Sequence, residues 1–349
     1  MVSPLHIEGH TLPDNSLSPS IVDLIGSTPL LRLTRIHPRS DIDVWAKLEG
    51  FNPGGSAKDR TAAALFADAR RTGRLEGVEA IVESSSGNLG LALARHALLA
   101  GLDFHCVADP SMNRLTRKTM RALGAHIHVV PEADPDTGEW LAARRSLVAS
   151  LLAEIPRSMS FDQYSNPAAF AAHSEGTMRE IVDALGAPPD FLFVAMSTTG
   201  TIGGCQRYLR SIGAHTQIIG VDAAGSVLFG GARAPRSLPG FGAGVEPELA
   251  GLLDPIDVVR VAETDSVVAS RFLARREGIL PGASGGAVIH ALGERLPRIP
   301  SGSTVALILH DFGPAYIDTL YDDDWVASTI GLSPTDLETL VEQRIAACA

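Results

Sequence analysis

Short apolar runs alternate with helical patterns along most of the chain. Seven runs rich in Val, Ile, Leu, Ala and Phe have the length of single strands; they cover residues 44–48, 80–83, 104–108, 127–130, 191–195, 218–221 and 305–310. Residues 61–72 and 91–100 carry helical patterns that end at Gly73 and Gly101, where glycine suits a left-handed cap. This alternation predicts an α/β protein with mainly parallel sheet.

The end of the chain predicts one more helix. Ser333 offers an N-cap and Pro334 a first helical residue, and Leu337, Leu340 and Val341 follow at helical spacing. Its apolar stripe fits packing against its own lobe or against a second subunit.

Composition narrows the function classes. The chain has 349 residues, which is long enough for two lobes, and 45% of them are hydrophobic, as in globular proteins. Lys and Arg number 29 against 40 Asp and Glu, a net charge of −11 that disfavours nucleic acid as a partner. No apolar run approaches the roughly 18 residues of a membrane span, and the start lacks the order of a signal peptide, so we expect a cytoplasmic protein. Three distant cysteines predict neither disulfides nor a metal site.

The first segment with chemical potential is residues 52–60, where a Pro-Gly-Gly turn precedes Lys58 at the start of a helix. A lysine that forms a Schiff base must be partly desolvated, because its neutral amine is the nucleophile and base. Taken alone, a lysine here is more often a solvated surface group. Three further segments with chemical potential make a functional role for this lysine the better interpretation.

The second segment, residues 83–90, lies between a strand and a helix and contains Ser85, Ser86, Gly87 and Asn88. Hydroxyls, free backbone N–H groups and the positive end of a helix form a pocket that suits a substrate carboxylate. A Ser/Gly turn of this kind is also a common plain connection.

The third and fourth segments repeat this design. Residues 197–204, Ser-Thr-Thr-Gly-Thr-Ile-Gly-Gly, follow an apolar strand and open a helix, but they lack the Gly-Lys-Ser/Thr ending of a nucleotide loop and the dinucleotide spacing. A cofactor monophosphate therefore fits better than ATP or NAD. In residues 281–287, Ser284 can offer a hydroxyl to a ring nitrogen or simply cap a helix.

In this order and at these separations, the four segments resemble the fold-type II pyridoxal-phosphate (PLP) enzymes of the cysteine synthase and cystathionine β-synthase family, over residues 21–326. The resemblance implies a tryptophan synthase β-like α/β fold, with PLP in a cleft between two lobes of mainly parallel sheet. It implies a large PLP-binding domain over 21–50 and 162–349, a smaller mobile substrate domain over 51–161, an arm over 1–20, and a homodimer.

The resemblance also assigns roles to individual residues. Lys58 is the lysine that carries the cofactor, Asn88 meets the PLP 3′-oxygen, and Ser284 meets the pyridine nitrogen. The remaining assignments are the cofactor phosphate for Ser197, Thr198, Thr199, Gly200 and Thr201, and the amino-acid substrate for Ser85, Ser86, Gly87, Gln163 and Tyr164.

Several positions depart from common cysteine synthases. Leu89 stands where Thr is usual, Tyr164 where Phe is usual, and Ser197 where Gly is usual. These changes lie next to the substrate and argue against specificity for acetylserine and sulfide. The tail from Tyr316 to Trp325 resembles the group in the 2,3-diaminopropionate pathway of siderophore or antibiotic biosynthesis, although Phe312 replaces an expected basic residue. The resemblance thus implies β-replacement joining O-phosphoserine and L-glutamate. One alternative is a cysteine synthase that uses O-phosphoserine or O-acetylserine with sulfide. Another is a catalytically silent regulatory binding protein with the PLP-enzyme fold.

A phosphate leaving group bears nearly two negative charges and needs a charged donor besides those holding the carboxylate. Arg236 is the first candidate and Arg233 the second, on the Gly/Pro-bounded loop 230–240. Both also fit solvated loop charges. The basic run of residues 114–121 competes, but its spacing suits one exposed helix face.

Overall fold

The computed structural model describes residues 20–136 and 138–348. The predicted arm over residues 1–20 lies outside this range except for Ser20. Within the described residues the strands are β1 (Leu30–Arg32), β2 (Asp43–Leu48), β3 (Ala80–Ser84), β4 (Asp103–Ala108), β5 (His126–Val129), β6 (Ser158–Met159), β7 (Phe191–Ala195), β8 (Gln217–Ala223), β9 (Asp257–Val261) and β10 (Thr304–Leu309).

The helices cover the faces of these strands. They are α1 (Lys58–Arg71), α2 (Asn88–Ala100), α3 (Arg114–Ala122), α4 (Trp140–Glu154), α5 (Ala168–Ala172), α6 (Arg179–Leu185), α7 (Gly200–Ser211), α8 (Glu263–Glu277), α9 (Ala283–Arg295), α10 (Asp323–Trp325) and α11 (Pro334–Ala346). A π-helix, His173–Met178, joins α5 to α6. Both predicted glycine stops are confirmed in position, and Gly101 has a left-handed φ of 70° at the end of α2.

The strands form two sheets. A six-stranded sheet has the order β1-β2-β10-β7-β8-β9 and a four-stranded sheet the order β5-β4-β3-β6. Every pairing is parallel except β1 with β2. The predicted α/β class with mainly parallel sheet is confirmed, and all seven predicted strands are present.

Each sheet has its own apolar core. Buried residues of β2, β7, β8 and β10 pack against α8 and α9, whereas α1 and α2 pack against β3 and β4. The strands of the small sheet lie inside residues 51–161 and those of the large sheet lie outside them, which is consistent with the predicted division into two domains. The exact domain boundaries stay a prediction. Leu337 and Val341 of α11 lie in the core of the large sheet, so this helix packs against its own lobe.

No helix among the described residues is both long enough and apolar enough to cross a membrane.

Candidate functional site

A cavity of about 560 Å³ is lined by residues that directly follow β3, β7 and β10. Ligands of parallel α/β proteins bind at such carboxyl ends of strands. All four predicted segments meet there. The predicted site residues in its lining are Lys58, Ser85, Ser86, Gly87, Asn88, Gln163, Tyr164, Ser197, Thr198, Thr199, Gly200, Thr201 and Ser284.

Lys58 is the first residue of α1, and the next residue, Asp59, accepts hydrogen bonds from two other segments. The Gly54 N–H donates to Asp59 Oδ2 over 2.8 Å, and Arg95 Nη1 donates to Asp59 Oδ1 over 3.1 Å. Burial lowers the pKa of the Lys58 amine, while the Asp311 carboxylate opposes this. The lowered pKa favours the neutral amine that a Schiff-base lysine needs.

The loop of residues 197–201 connects β7 to α7 and presents the N-terminus of α7 to the cavity. Thr199 has a left-handed φ of 63°, and its buried Oγ1 has no hydrogen-bond partner among the described residues. Thr201 Oγ1 lies 3.3 Å from His173 Nε2. An unpartnered hydroxyl beside helical N–H groups provides the donors that a monophosphate requires.

The loop after β3 is anchored to its surroundings. Ser85 Oγ accepts from the Gly90 N–H over 2.9 Å, and Gln163 Nε2 donates to the Ser84 carbonyl over 3.1 Å. Glu83 Oε2 accepts from the N–H groups of Phe161 and Asp162, over 3.1 and 3.0 Å. The end of β3 therefore holds the turn that brings Gln163 beside the serines.

Ser284 is buried in the first turn of α9. The preceding Gly282 packs so closely that a Cβ there would lie 2.0 Å from Asp311 Oδ1. Glycine at 282 thus lets α9 approach the end of β10.

The two arginines predicted for the leaving group lie elsewhere. Arg233 pairs with Glu139 and donates to the Gly244 carbonyl over 2.7 Å, and Arg236 donates to the Phe241 carbonyl over 3.1 Å. Neither is among the residues that line the cavity. The competing basic run forms α3, where Arg114 is largely exposed beside Asp318.

Arg144 of α4 is the cation that sequence reasoning missed. It lines the cavity, its Nη1 lies 3.4 Å from Ser86 Oγ, and its Nε lies 3.5 Å from Asp109 Oδ2. Both distances exceed the usual 2.9 Å of a hydrogen bond, so the guanidinium can still take a stronger acceptor. No motif surrounds Arg144 in the sequence. Only the position of its helix, which packs on β3, shows that this side chain reaches the cavity.

Four further lining or supporting residues received no role from the sequence. His310 lines the cavity, and both of its ring nitrogens lack hydrogen-bond partners among the described residues. Burial and the charge of Lys58 lower the pKa of His310 to about 3. The other three are His173, Asp311 and Tyr316. The described residues contain no group of three or more His, Cys, Asp or Glu side chains that could hold a metal ion.

The residues present fit PLP. Lys58 would hold the aldehyde carbon, and the unpartnered Thr199 hydroxyl belongs to the loop that would hold the phosphate. Asn88 and Ser284 would face the ring.

The comparisons with known proteins agree with this fit. A sequence model of the family described as "Pyridoxal-phosphate dependent enzyme" matches residues 21–311. The chain is 40% identical over 311 residues to N-(2-amino-2-carboxyethyl)-L-glutamate synthase of Ralstonia nicotianae, covering 89% of this chain and 92% of that protein.

Solved structures show the same likeness. An O-acetylserine dependent cystathionine β-synthase from Helicobacter pylori matches with a TM-score of 0.81 and 30% identity, covering 87% of this chain and 98% of that one. An O-ureido-L-serine synthase matches with a TM-score of 0.79 and 32% identity, covering 89% and 99% of the two chains.

Proposed function

This chain belongs to the pyridoxal-phosphate dependent enzyme family and is a β-replacement enzyme of the cysteine synthase type. We propose that its substrates are O-phospho-L-serine and L-glutamate. The products would be N-(2-amino-2-carboxyethyl)-L-glutamate and phosphate, a step towards 2,3-diaminopropionate. The likeness to the Ralstonia synthase supports this choice.

The observation that carries the proposal is Arg144 in the cavity wall. Its guanidinium reaches Ser86 of the predicted carboxylate pocket and is not locked by a short hydrogen bond. A dianionic phosphate gains from a charge-assisted donor at this place, whereas a neutral acetate ester does not. We therefore assign the leaving-group role to Arg144 in place of Arg236 and Arg233.

Different residues of the chain bind the donor substrate and support the reaction. Ser85, Ser86, Gly87 and Gln163 hold the donor's α-carboxylate, and Tyr164 closes this side of the cavity. When bound, PLP supplies the electron sink that makes the Cα proton acidic and the β-substituent able to leave.

In the proposed reaction, Lys58 first removes a proton from the donor substrate and later returns one. Its amine takes the Cα proton, the Cβ–O bond breaks, and phosphate leaves with the bonding electrons. The deprotonated amine of glutamate then forms the Cβ–N bond, and Lys58 returns a proton to Cα. Because phosphate leaves before glutamate adds, we expect ping-pong kinetics.

The product assay tests the choice of substrates. Purified holoenzyme is incubated with phosphoserine or acetylserine, each paired with glutamate, sulfide or homocysteine, and product masses are measured. The proposal requires the phosphoserine and glutamate pair to give the highest kcat/KM. A preference for sulfide would make the chain a cysteine synthase, and no turnover with any donor would favour the silent binding protein.

Arginine variants test how the donor is recognised. Arg144→Ala should slow phosphate release from phosphoserine about ten- to a hundredfold, the loss expected for one charge-assisted hydrogen bond. Reaction with acetylserine should change less than threefold. Arg236→Ala is the matched control, and equal loss in it would return the role to the 230–240 loop.

The homodimer that the family resemblance implies stays a prediction, which a light-scattering mass checks.

A further inference from the structure

Asp311, two residues after the end of β10, places a buried carboxylate in the cavity wall. Only 4% of its surface is exposed, and it lines the cavity together with Lys58 and Asn88. Ionised side chains are seldom buried without partners or a function, because desolvation disfavours the charge.

The two oxygens of this carboxylate are used differently. Oδ2 accepts from Asn88 Nδ2 and from the Tyr316 hydroxyl, each over 2.7 Å. Oδ1 has no hydrogen-bond partner among the described residues. A buried oxygen without a donor carries a free-energy cost, and this one lies against Gly282, where a Cβ would be only 2.0 Å away.

The contact fixes the orientation of Asn88. Turning the Asn88 amide over would bring its own oxygen against Asp311 Oδ2, which is repulsive. One N–H of the Asn88 amide is thus committed to Asp311, and its second N–H would be left to donate to the PLP 3′-oxygen in the role proposed for Asn88.

Charges around Asp311 come from several elements. Lys58 at the start of α1 faces it, and the Tyr316 hydroxyl donates to it. Tyr321 lies behind Tyr316, and His310 and His173 face Lys58. Burial raises the pKa of both tyrosines and lowers that of both histidines, so these four groups stay neutral near pH 7. Burial raises the pKa of the Asp311 carboxyl and lowers that of the Lys58 amine, and the interaction between the two groups opposes both shifts. Asp311 and Lys58 therefore favour each other's charged forms.

We infer that Asp311 is a positioning residue with two effects: it holds the Asn88 amide towards the cofactor ring, and its negative charge stabilises the protonated form of Lys58. This rests on the PLP part of the proposed function and not on the choice of donor or nucleophile.

Two variants separate the effects in the holoenzyme. Asp311→Asn keeps an acceptor oxygen and the shape of the side chain but removes the charge. The pH midpoint of the visible absorption band should then move to lower pH by about one unit, because the cation at Lys58 loses its counter-charge. Asp311→Glu keeps the charge but displaces it by one methylene, so the midpoint should stay while Cα-proton exchange slows about tenfold.

Tyr321→Phe is the matched control, since the Tyr321 hydroxyl donates to the Pro281 carbonyl and this residue is not among those that line the cavity, so the carboxylate keeps its contacts with Asn88 and Tyr316. Its midpoint should stay within about 0.3 units of wild type. An unchanged midpoint in Asp311→Asn, or wild-type exchange in Asp311→Glu, would overturn the inference. The absorption titration needs no substrate, so its result is independent of whether phosphoserine and glutamate are the true substrates.

Discussion

At the scale of single residues, the surroundings of Lys58 decide its reactivity. Burial lowers the pKa of its amine, and Asp311 limits this shift, which suits the group to the proton transfer proposed for it. Lys58 could be predicted from sequence because the Pro-Gly-Gly turn and three matching loops surround it. Arg144 could not be predicted, because it is 58 residues away from Ser86 in the sequence and only the packing of α4 brings the two side chains together.

Lys58 gives the most direct prediction. Borohydride reduction of the holoenzyme should fix the cofactor to Lys58, and peptide mapping identifies the modified residue. Lys58→Ala should lose turnover by at least about a thousandfold, because both the covalent anchor and the base are removed. The variant should still bind PLP through the 197–201 loop. Modification of another lysine, or near-normal turnover, would contradict the assignment.

At the scale of elements, the π-helix His173–Met178 contacts the 197–201 loop through Thr201. It places the buried His173 ring between Thr61 and Thr201, with Nε2 3.3 Å from both hydroxyls and Nδ1 3.0 Å from Thr177 Oγ1. Burial, with nearby positive charge, lowers the pKa of His173 well below 6.5, so the ring is neutral. π-helical turns often occur at functional sites. Apolar periodicity does not show such a turn, so the sequence could not predict it.

This packing predicts a role for His173 in holding PLP. His173→Leu should raise the dissociation constant of PLP about two- to tenfold, because Thr201 loses one neutral hydrogen bond. The measurement is a fluorescence titration of apoenzyme with PLP. His96→Phe is the control: this buried histidine stacks on Phe66 and does not line the cavity. Equal weakening in both variants would indicate general destabilisation.

At the scale of the whole molecule, the sequence predicted the two-lobe α/β layout but missed β1, β6 and β9. These strands have three, two and five residues and lie at sheet edges, where half-exposed positions leave no continuous apolar run. The ion pairs that join distant segments could not be predicted either, because they depend on how the segments pack. Arg60 of α1 pairs with Glu49 and Glu180, and Lys47 of β2 pairs with Glu180, over 2.6 to 2.7 Å.

This buried network predicts how stability depends on pH. Burial alone would raise the pKa of Glu180, but hydrogen bonds and charge from Arg60 and Lys47 lower it from 4.5 to about 2. A carboxyl whose pKa is lower in the folded state stabilises the fold above pH 4.5, and this contribution is lost as the pH falls towards 2. Glu180→Gln leaves two buried cations with one carboxylate, so it should lower the free energy of unfolding by about 3 kcal/mol at pH 7.

Urea unfolding measured between pH 7 and pH 3 checks this prediction. The difference between wild type and Glu180→Gln should shrink as the pH falls, because Glu180 of the wild type becomes protonated and loses its own contribution. Asp43→Asn is the matched control; Asp43 pairs with Arg32 on the surface, with both side chains about half exposed. Its removal should cost less than about 1 kcal/mol at any pH. A difference for Glu180→Gln that stays constant down to pH 3 would show that shape, and not charge, explains the loss.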